Sequence, residues 1–198
     1  GLHNPFKNPE RYLQLGDVCF RTAYSLHQPH IRNRIVDEIV AVTGKTEEQA
    51  HGELKVTRKF LENFSGDQVR FLAKGFNTPG DHMGQMSNGF RWPYGGVTII
   101  SPFNFPLEIP LLQLMGSLFM GNKPVLKVDS RVSLVMDSII KIMHENGLSK
   151  KDVDMIHCNG EIMEYLLIES QPRMTQFTGS SRVAENLAKK LNGKVRIE

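Results

Sequence analysis

Apolar positions follow two regimes along the chain. Up to about Phe76 they recur every three or four residues, and from Gly96 onward short β-branched runs alternate with helical stripes. Asn8-Pro9 marks a helix start: Asn accepts from free amides and Pro suits the first turn. Tyr12, Leu15 and Val18/Cys19 follow at helical spacing. Ile31 to Val42 is a second stripe, stopped at Gly44. Thr46 and Gln49 form a capping box that opens a long third helix. Leu54, Leu61, Phe64, Val69, Leu72 and Phe76 continue its apolar face, with Gly66 as a kink or break. From Asn77 to Gly95, Pro and Gly punctuate a loose alternation, which predicts an extended excursion or part of a hairpin.

Beyond Gly96 the pattern predicts strands at 97–101, 125–128, 153–157, 174–178 and 195–198. Helices are predicted between them at 106–120, 132–146, 161–169 and 181–191. Five strands alternating with four helices predict right-handed βαβ crossovers in one parallel sheet. The expected fold class is therefore α/β: a Rossmann-like five-stranded parallel sheet with flanking helices, after an N-terminal helical segment. The expected division is 1–78 helical segment, 79–95 extended arm and 96–198 Rossmann-like domain. The chain opens Gly1-Leu2-His3 and closes inside a strand pattern, so a piece of a longer protein is expected.

Composition narrows the function classes. The 24 Lys and Arg against 21 Asp and Glu leave a net charge of +3. The basic residues are dispersed and not interleaved with aromatics, so no nucleic-acid partner is expected. The most apolar stretch, 103–120, is broken by Asn104, Glu108, Pro110, Gln113 and Gly116 and reads as a buried helix, with no membrane partner. Cys19 and Cys158 suggest no disulfide and read as inert buried thiols. His27 and His30 lack carboxylate neighbours and no His-Glu-x-x-His occurs, so no metal site is expected.

In parallel sheets, ligands sit beyond the carboxyl ends of the strands. Four strand ends carry candidate chemistry. Ser101-Pro102-Phe103-Asn104-Phe105-Pro106 holds a primary amide in a stiff turn; Asn104 either donates to an oxyanion or caps the next helix. Lys127-Val128-Asp129-Ser130 either binds sugar hydroxyls or phosphate, or is a solvated strand end whose Asp129 or Ser130 caps a helix. Phe177-Thr178-Gly179-Ser180 either cradles a pyrophosphate at a helix N-terminus or is an ordinary cap. Glu198 is either a general base at the same rim or a surface carboxylate. No G-x-G-x-x-G follows the first strand.

Taken in order, three strings resemble the aldehyde dehydrogenase superfamily: Ser-Pro-Phe-Asn-Phe-Pro, Gly121-Asn-Lys-Pro-Val-Leu-Lys127 and Phe-Thr-Gly-Ser180. Within it, Gly1 to Lys7, Thr57 to Phe64, Gly66 to Leu72, Arg91 to Gly95, Phe105 to Pro110 and Leu112 to Gly116 are similar to the plant-type delta-1-pyrroline-5-carboxylate dehydrogenase branch. The resemblance implies NAD-dependent oxidation of an aldehyde, L-glutamate gamma-semialdehyde, to the carboxylate in proline catabolism. It implies a homo-oligomeric parent in the mitochondrial matrix. Asn104 would be the oxyanion donor and Glu198 the activator of the hydrolytic water. The NAD set would be Ser101, Pro102, Phe103, Lys127, Asp129, Ser130, Gly160, Gly179, Ser180 and Val183, which assigns NAD binding to 96–198. Many relatives carry Glu where Ser130 stands, which leaves NAD against NADP open. The family's nucleophilic Cys lies downstream of the Glu198 motif, so this chain alone is expected to be inactive. The alternatives are a natural non-catalytic NAD-binding module, or another semialdehyde dehydrogenase of the same superfamily.

Overall fold

The computed structural model describes residues 8–65 and 74–198. The first seven residues, Gly66 and the apolar positions Val69 and Leu72 lie outside the described residues. Helix α1 (Pro9–Ser25) starts as its sequence dictates: Asn8 Oδ1 accepts from the Arg11 amide at 3.1 Å. Helix α2 (Pro29–Thr43) stops at Gly44, whose φ of +71° favours glycine. The capping box opens α3 (Glu47–Ser65). The Gln49 amide donates to Thr46 Oγ1 at 3.2 Å, and the Thr46 amide donates to Gln49 Oε1 at 3.0 Å.

Phe76 departs from the predicted helical face. It begins strand β1 (Phe76–Pro79), which pairs antiparallel with β2 (Met86–Gly89), and its side chain is exposed. The Arg91 guanidinium covers its ring at 5.1 Å, so cross-hairpin contact takes the place of helical packing. The excursion is thus a hairpin exposed on both faces, beginning before residue 79. It joins the sheet where the Gly95 amide donates to Asn122 Oδ1 and the Lys123 amide donates to the Gly95 carbonyl.

The sheet follows: β3 (Gly96–Ile100), α4 (Glu108–Phe119), β4 (Lys123–Lys127), α5 (Ser133–Glu145), β5 (Asp154–Met155), α6 (Gly160–Ser170), β6 (Met174–Phe177), α7 (Ser181–Leu191) and β7 (Arg196–Ile197). The strand order is β5-β4-β3-β6-β7, all parallel. The chain builds outward from β3 to β5, then returns to the other side of β3. The strand order therefore reverses between β3 and β6, the crevice where parallel sheets bind ligands. Buried Thr98 and Thr175 bridge these two strands, Oγ1 to Oγ1, at 2.6 Å. The outer strands β5 and β7 are shorter than predicted because each has a partner on one side only.

Neighbouring strand residues point to opposite faces, and the sheet uses both. Ile99 packs with α4, α5 and the three N-terminal helices; Ile100 packs with Met163 and Leu167 of α6 and Leu187 and Leu191 of α7. The N-terminal helices share one core with the α4/α5 face. Phe119 of α4 stacks on Phe64 and meets Tyr12 edge-on, both at 5.2 Å between centroids. A buried Arg11–Asp152 ion pair ties α1 to the loop before β5.

Candidate functional site

A cleft of about 1050 Å³ opens at the carboxyl ends of β3, β4 and β6 and at the first turns of α6 and α7. It brings together Asn104 with Ser101, Pro102, Phe103, Lys127, Asp129, Ser130, Gly160, Gly179, Ser180 and Val183. Glu198 is not among its lining residues. That residue extends the ladder from β7: its amide donates to the Thr175 carbonyl, and its carbonyl accepts from the Phe177 amide. Its carboxylate pairs with Arg196, two residues back on the same strand.

The Asn104 turn leaves β3 with the Ser101 amide donating to the Lys127 carbonyl at 3.1 Å. Asn104 does not cap the following helix. Helix α4 starts at Glu108, later than predicted, with Leu107 at its cap position. The amides of Leu107 and Glu108 donate instead to Glu53 Oε1, at 2.9 and 3.2 Å. The Asn104 amide is exposed and makes no hydrogen bond among the described residues, so its N–H groups are free to donate. Ser101 is buried and its Oγ has no partner among the described residues. A buried orphan hydroxyl at a cleft wall is a binding group waiting for a ligand atom.

Lys127 is only 8% exposed and forms no ion pair within 4 Å among the described residues. It is therefore not a solvated strand end. Its stem is buried while Nζ, with no hydrogen-bond partner among the described residues, stays open to the cleft, where its charge also acts on Asp129. Asp129 and Ser130 cap nothing through their side chains: α5 has Val132 at its cap and no side-chain cap bond. Asp129 instead grips Arg131. Its Oδ1 accepts from the Arg131 amide at 3.0 Å and from Nε at 2.9 Å, and its Oδ2 accepts from Nη2 at 3.0 Å. Those bonds hold the Asp129 carboxyl below its ordinary value, against partial burial, with the charges of Arg131 and Lys127 adding to the effect. The Arg131 guanidinium lies over the Phe103 ring at 4.6 Å. Arg131 is one of the cleft residues that the sequence reading missed; the Asp-x-Arg spacing, which suits an Asx turn, was the available signal.

Two helices start at the cleft, and they differ. Helix α6 is capped by its own sequence: Asn159 Oδ1 accepts from the Ile162 amide at 2.9 Å. Helix α7 has Ser180 at its cap position with no side-chain bond; only the Ser180 carbonyl is used, by the Val183 and Ala184 amides. The first amides of α7 are thus left for an anion. Gly179 precedes them, where a Cβ would come within 2.6 Å of the Phe177 ring and force it to move. Gln113 Nε2 of α4 donates to Thr178 Oγ1 at 2.9 Å, fixing this strand end against α4.

Neither cysteine reaches the cleft. Cys19 is fully buried in the helical core, and burial pushes its thiol far above its ordinary value. Cys158 packs beside the α6/α7 core cluster. Among the described residues no three or more His, Cys, Asp or Glu gather as a metal set, and no helix is long and apolar enough to cross a membrane.

Comparison with known proteins agrees with this architecture. The sequence profile described as "Aldehyde dehydrogenase family" matches residues 19–197. Over all 198 residues the chain is 59% identical to "Delta-1-pyrroline-5-carboxylate dehydrogenase 12A1, mitochondrial" of Arabidopsis thaliana. It is 56% identical to "Probable aldehyde dehydrogenase" of Linum usitatissimum. It spans 36% of the length of each of these relatives. Among solved structures, an NAD-dependent benzaldehyde dehydrogenase from Corynebacterium glutamicum superposes with a TM-score of 0.83 at 21% identity, covering 94% of this chain and 41% of that one. Bradyrhizobium japonicum Proline Utilization A gives 0.82 at 24% identity, covering 94% of this chain and 19% of that one. At these identities the structural likeness concerns the fold.

Proposed function

The chain belongs to the aldehyde dehydrogenase family, and from that premise we propose that it is the cofactor-binding part of an enzyme oxidising L-glutamate gamma-semialdehyde to glutamate with NAD. The observation that carries the reading is the pairing, in one cleft, of the uncapped start of α7 with Lys127, whose stem is buried and whose Nζ makes no ion pair among the described residues. A dinucleotide fits this donor set. The α7 amides and Ser180 would hold the pyrophosphate, and Lys127 would reach the adenosine ribose. Pro102, Phe103 and Val183 would give apolar walls, and Gly160 lets the backbone of α6 come close. When bound, the nicotinamide would supply hydride acceptance.

The chain's own residues then do three things. Asn104 donates its amide N–H to the aldehyde oxygen as negative charge grows there, without itself ionising. Asp129 neutralises Arg131 beside the ribose position, so a 2′-phosphate would find no free guanidinium there. The hydroxyls of Ser101 and Ser130 add polar contacts at the wall. These residues serve binding and oxyanion stabilisation; neither Cys19, in the helical core, nor Cys158, beside the α6/α7 core, is the nucleophile. Glu198 would activate water only after release from Arg196. The exposed hairpin, with Met83 and Met86 open to solvent, would serve a homo-oligomer. The mitochondrial compartment of the Arabidopsis relative is proposed for this protein too.

Two measurements test the reading. Calorimetric titration of the chain with NAD should show binding, weakened about tenfold or more in Lys127→Ala, since a charge-assisted hydrogen bond is lost. Unchanged affinity would remove Lys127 from the site. In the enzyme at its natural length, NAD reduction should favour L-glutamate gamma-semialdehyde over malonate semialdehyde in kcat/KM; equal use of both would overturn the substrate assignment.

A further inference from the structure

A carboxylate stands where α3 is expected to be apolar. The buried stripe of that helix runs Ala50, Glu53, Leu54, Thr57 and Leu61, and Glu53 is 4% exposed. Its charge is costly at such a position unless it is fully engaged. It is engaged, and every partner converges on one place. Lys45 Nζ donates to Glu53 Oε2 at 2.6 Å. The amides of Leu107 and Glu108 donate to Oε1, and the same Lys45 ammonium lies 4.1 Å from the centre of the Phe105 ring. Helix α4 has Leu107 at its cap position, which offers no side-chain acceptor. Its cap comes from 54 positions earlier in sequence, on another helix.

Phe105, Leu107 and Glu108 directly follow Asn104. The other end of the turn is pinned where the Ser101 amide meets the Lys127 carbonyl. Pro102 and Pro106 stiffen the span between. The Glu53–Lys45 pair therefore closes the one end of the Asn104 turn that the sheet does not hold. We infer that Glu53, with Lys45, is a positioning residue that sets where the Asn104 amide stands in the cleft. This rests on Asn104 being the oxyanion donor. A donor of that kind acts by its place, and a displacement of about 1 Å can cost about a hundredfold in rate.

The test is steady-state kinetics on the enzyme at its natural length, with Glu53→Gln, Glu53→Ala, Asn104→Ala and the combined variants. Asn104→Ala should lower kcat about a hundredfold. Glu53→Ala should lower kcat by about tenfold or more while the KM for NAD stays within about twofold. Glu53→Gln, which keeps an oxygen for the two amides, should lose less. Added to Asn104→Ala, either change should cost little more, because both act through one group. If Asn104→Ala lowers kcat but the Glu53 variants do not, positioning is overturned and the role of Asn104 stands. A full further loss in the Asn104→Ala background also overturns it, as does a rise in the KM for NAD with kcat unchanged. If Asn104→Ala leaves kcat unchanged, the oxyanion reading fails and the inference with it. Should Glu53→Ala not fold, Glu53→Gln and its combination with Asn104→Ala decide by the same criteria.

Discussion

At the scale of single residues, charge placement around the cleft governs what it accepts. Arg131 is neutralised by a two-pronged grip from Asp129. Asp129→Asn weakens that grip and leaves guanidinium charge beside the proposed ribose position. The expected outcome is a gain of about tenfold in affinity for NADP relative to NAD, read by titration with each; an unchanged ratio would place the ribose elsewhere. Glu108 poses the opposite problem. Burial and the nearby Glu53 charge raise its carboxyl above its ordinary value, against the pull of Lys45. A raised carboxyl means that the fold prefers its protonated form, so its charge lowers stability once the pH passes the folded value. Glu108→Gln should therefore raise Tm at neutral pH, and the difference should vanish by about pH 4. A Tm gain that persists unchanged in acid would contradict this origin.

At the scale of elements, the two helices that begin at the cleft separate stability from binding. Asn159 caps α6, so Asn159→Ala should cost about 1 kcal/mol in denaturant unfolding and leave NAD affinity unchanged. Ser180 makes no cap bond in α7, so Ser180→Ala should scarcely change stability yet weaken NAD binding. The reverse pattern would move the pyrophosphate to α6. These elements also show what the sequence made visible. Each crossover helix was legible because its apolar residues repeat at helical spacing, and α7 came out at its predicted bounds. The short outer strands were overextended, because pairing on one side is a property of the sheet. The start of α4 was misplaced because its cap, Glu53, lies on a different helix. The grouping of cleft residues was legible as strand-end strings; the Asp129–Arg131 grip lies within a local Asp-x-Arg spacing and was overlooked, whereas the Glu53 brace was not legible, since local patterns carry no long-range partners.

At the scale of the molecule, one core joins the N-terminal helices to the α4/α5 face of the sheet. The Arg11–Asp152 pair spans this junction, with both residues buried. Nε and Nη2 of Arg11 find no hydrogen-bond partner among the described residues, so the pair is incompletely compensated. Arg11→Met should destabilise the fold by about 3–5 kcal/mol by stranding Asp152, whereas Arg11→Met with Asp152→Leu should recover most of that loss. Chemical denaturation of the single and double variants checks this, and a double variant as weak as the single one would refute it.

The same pair has a consequence in time. Its two residues are 141 positions apart. On a ribosome adding about 5–20 residues per second, Asp152 emerges roughly 7–28 s after Arg11. Until α4 and α5 have emerged, the apolar stripe of α1, including Leu15, Val18 and Cys19, can pack on α3 but lacks the α4/α5 layer that completes its core. Slowed synthesis between α3 and α5 would lengthen the window in which that stripe is incompletely covered.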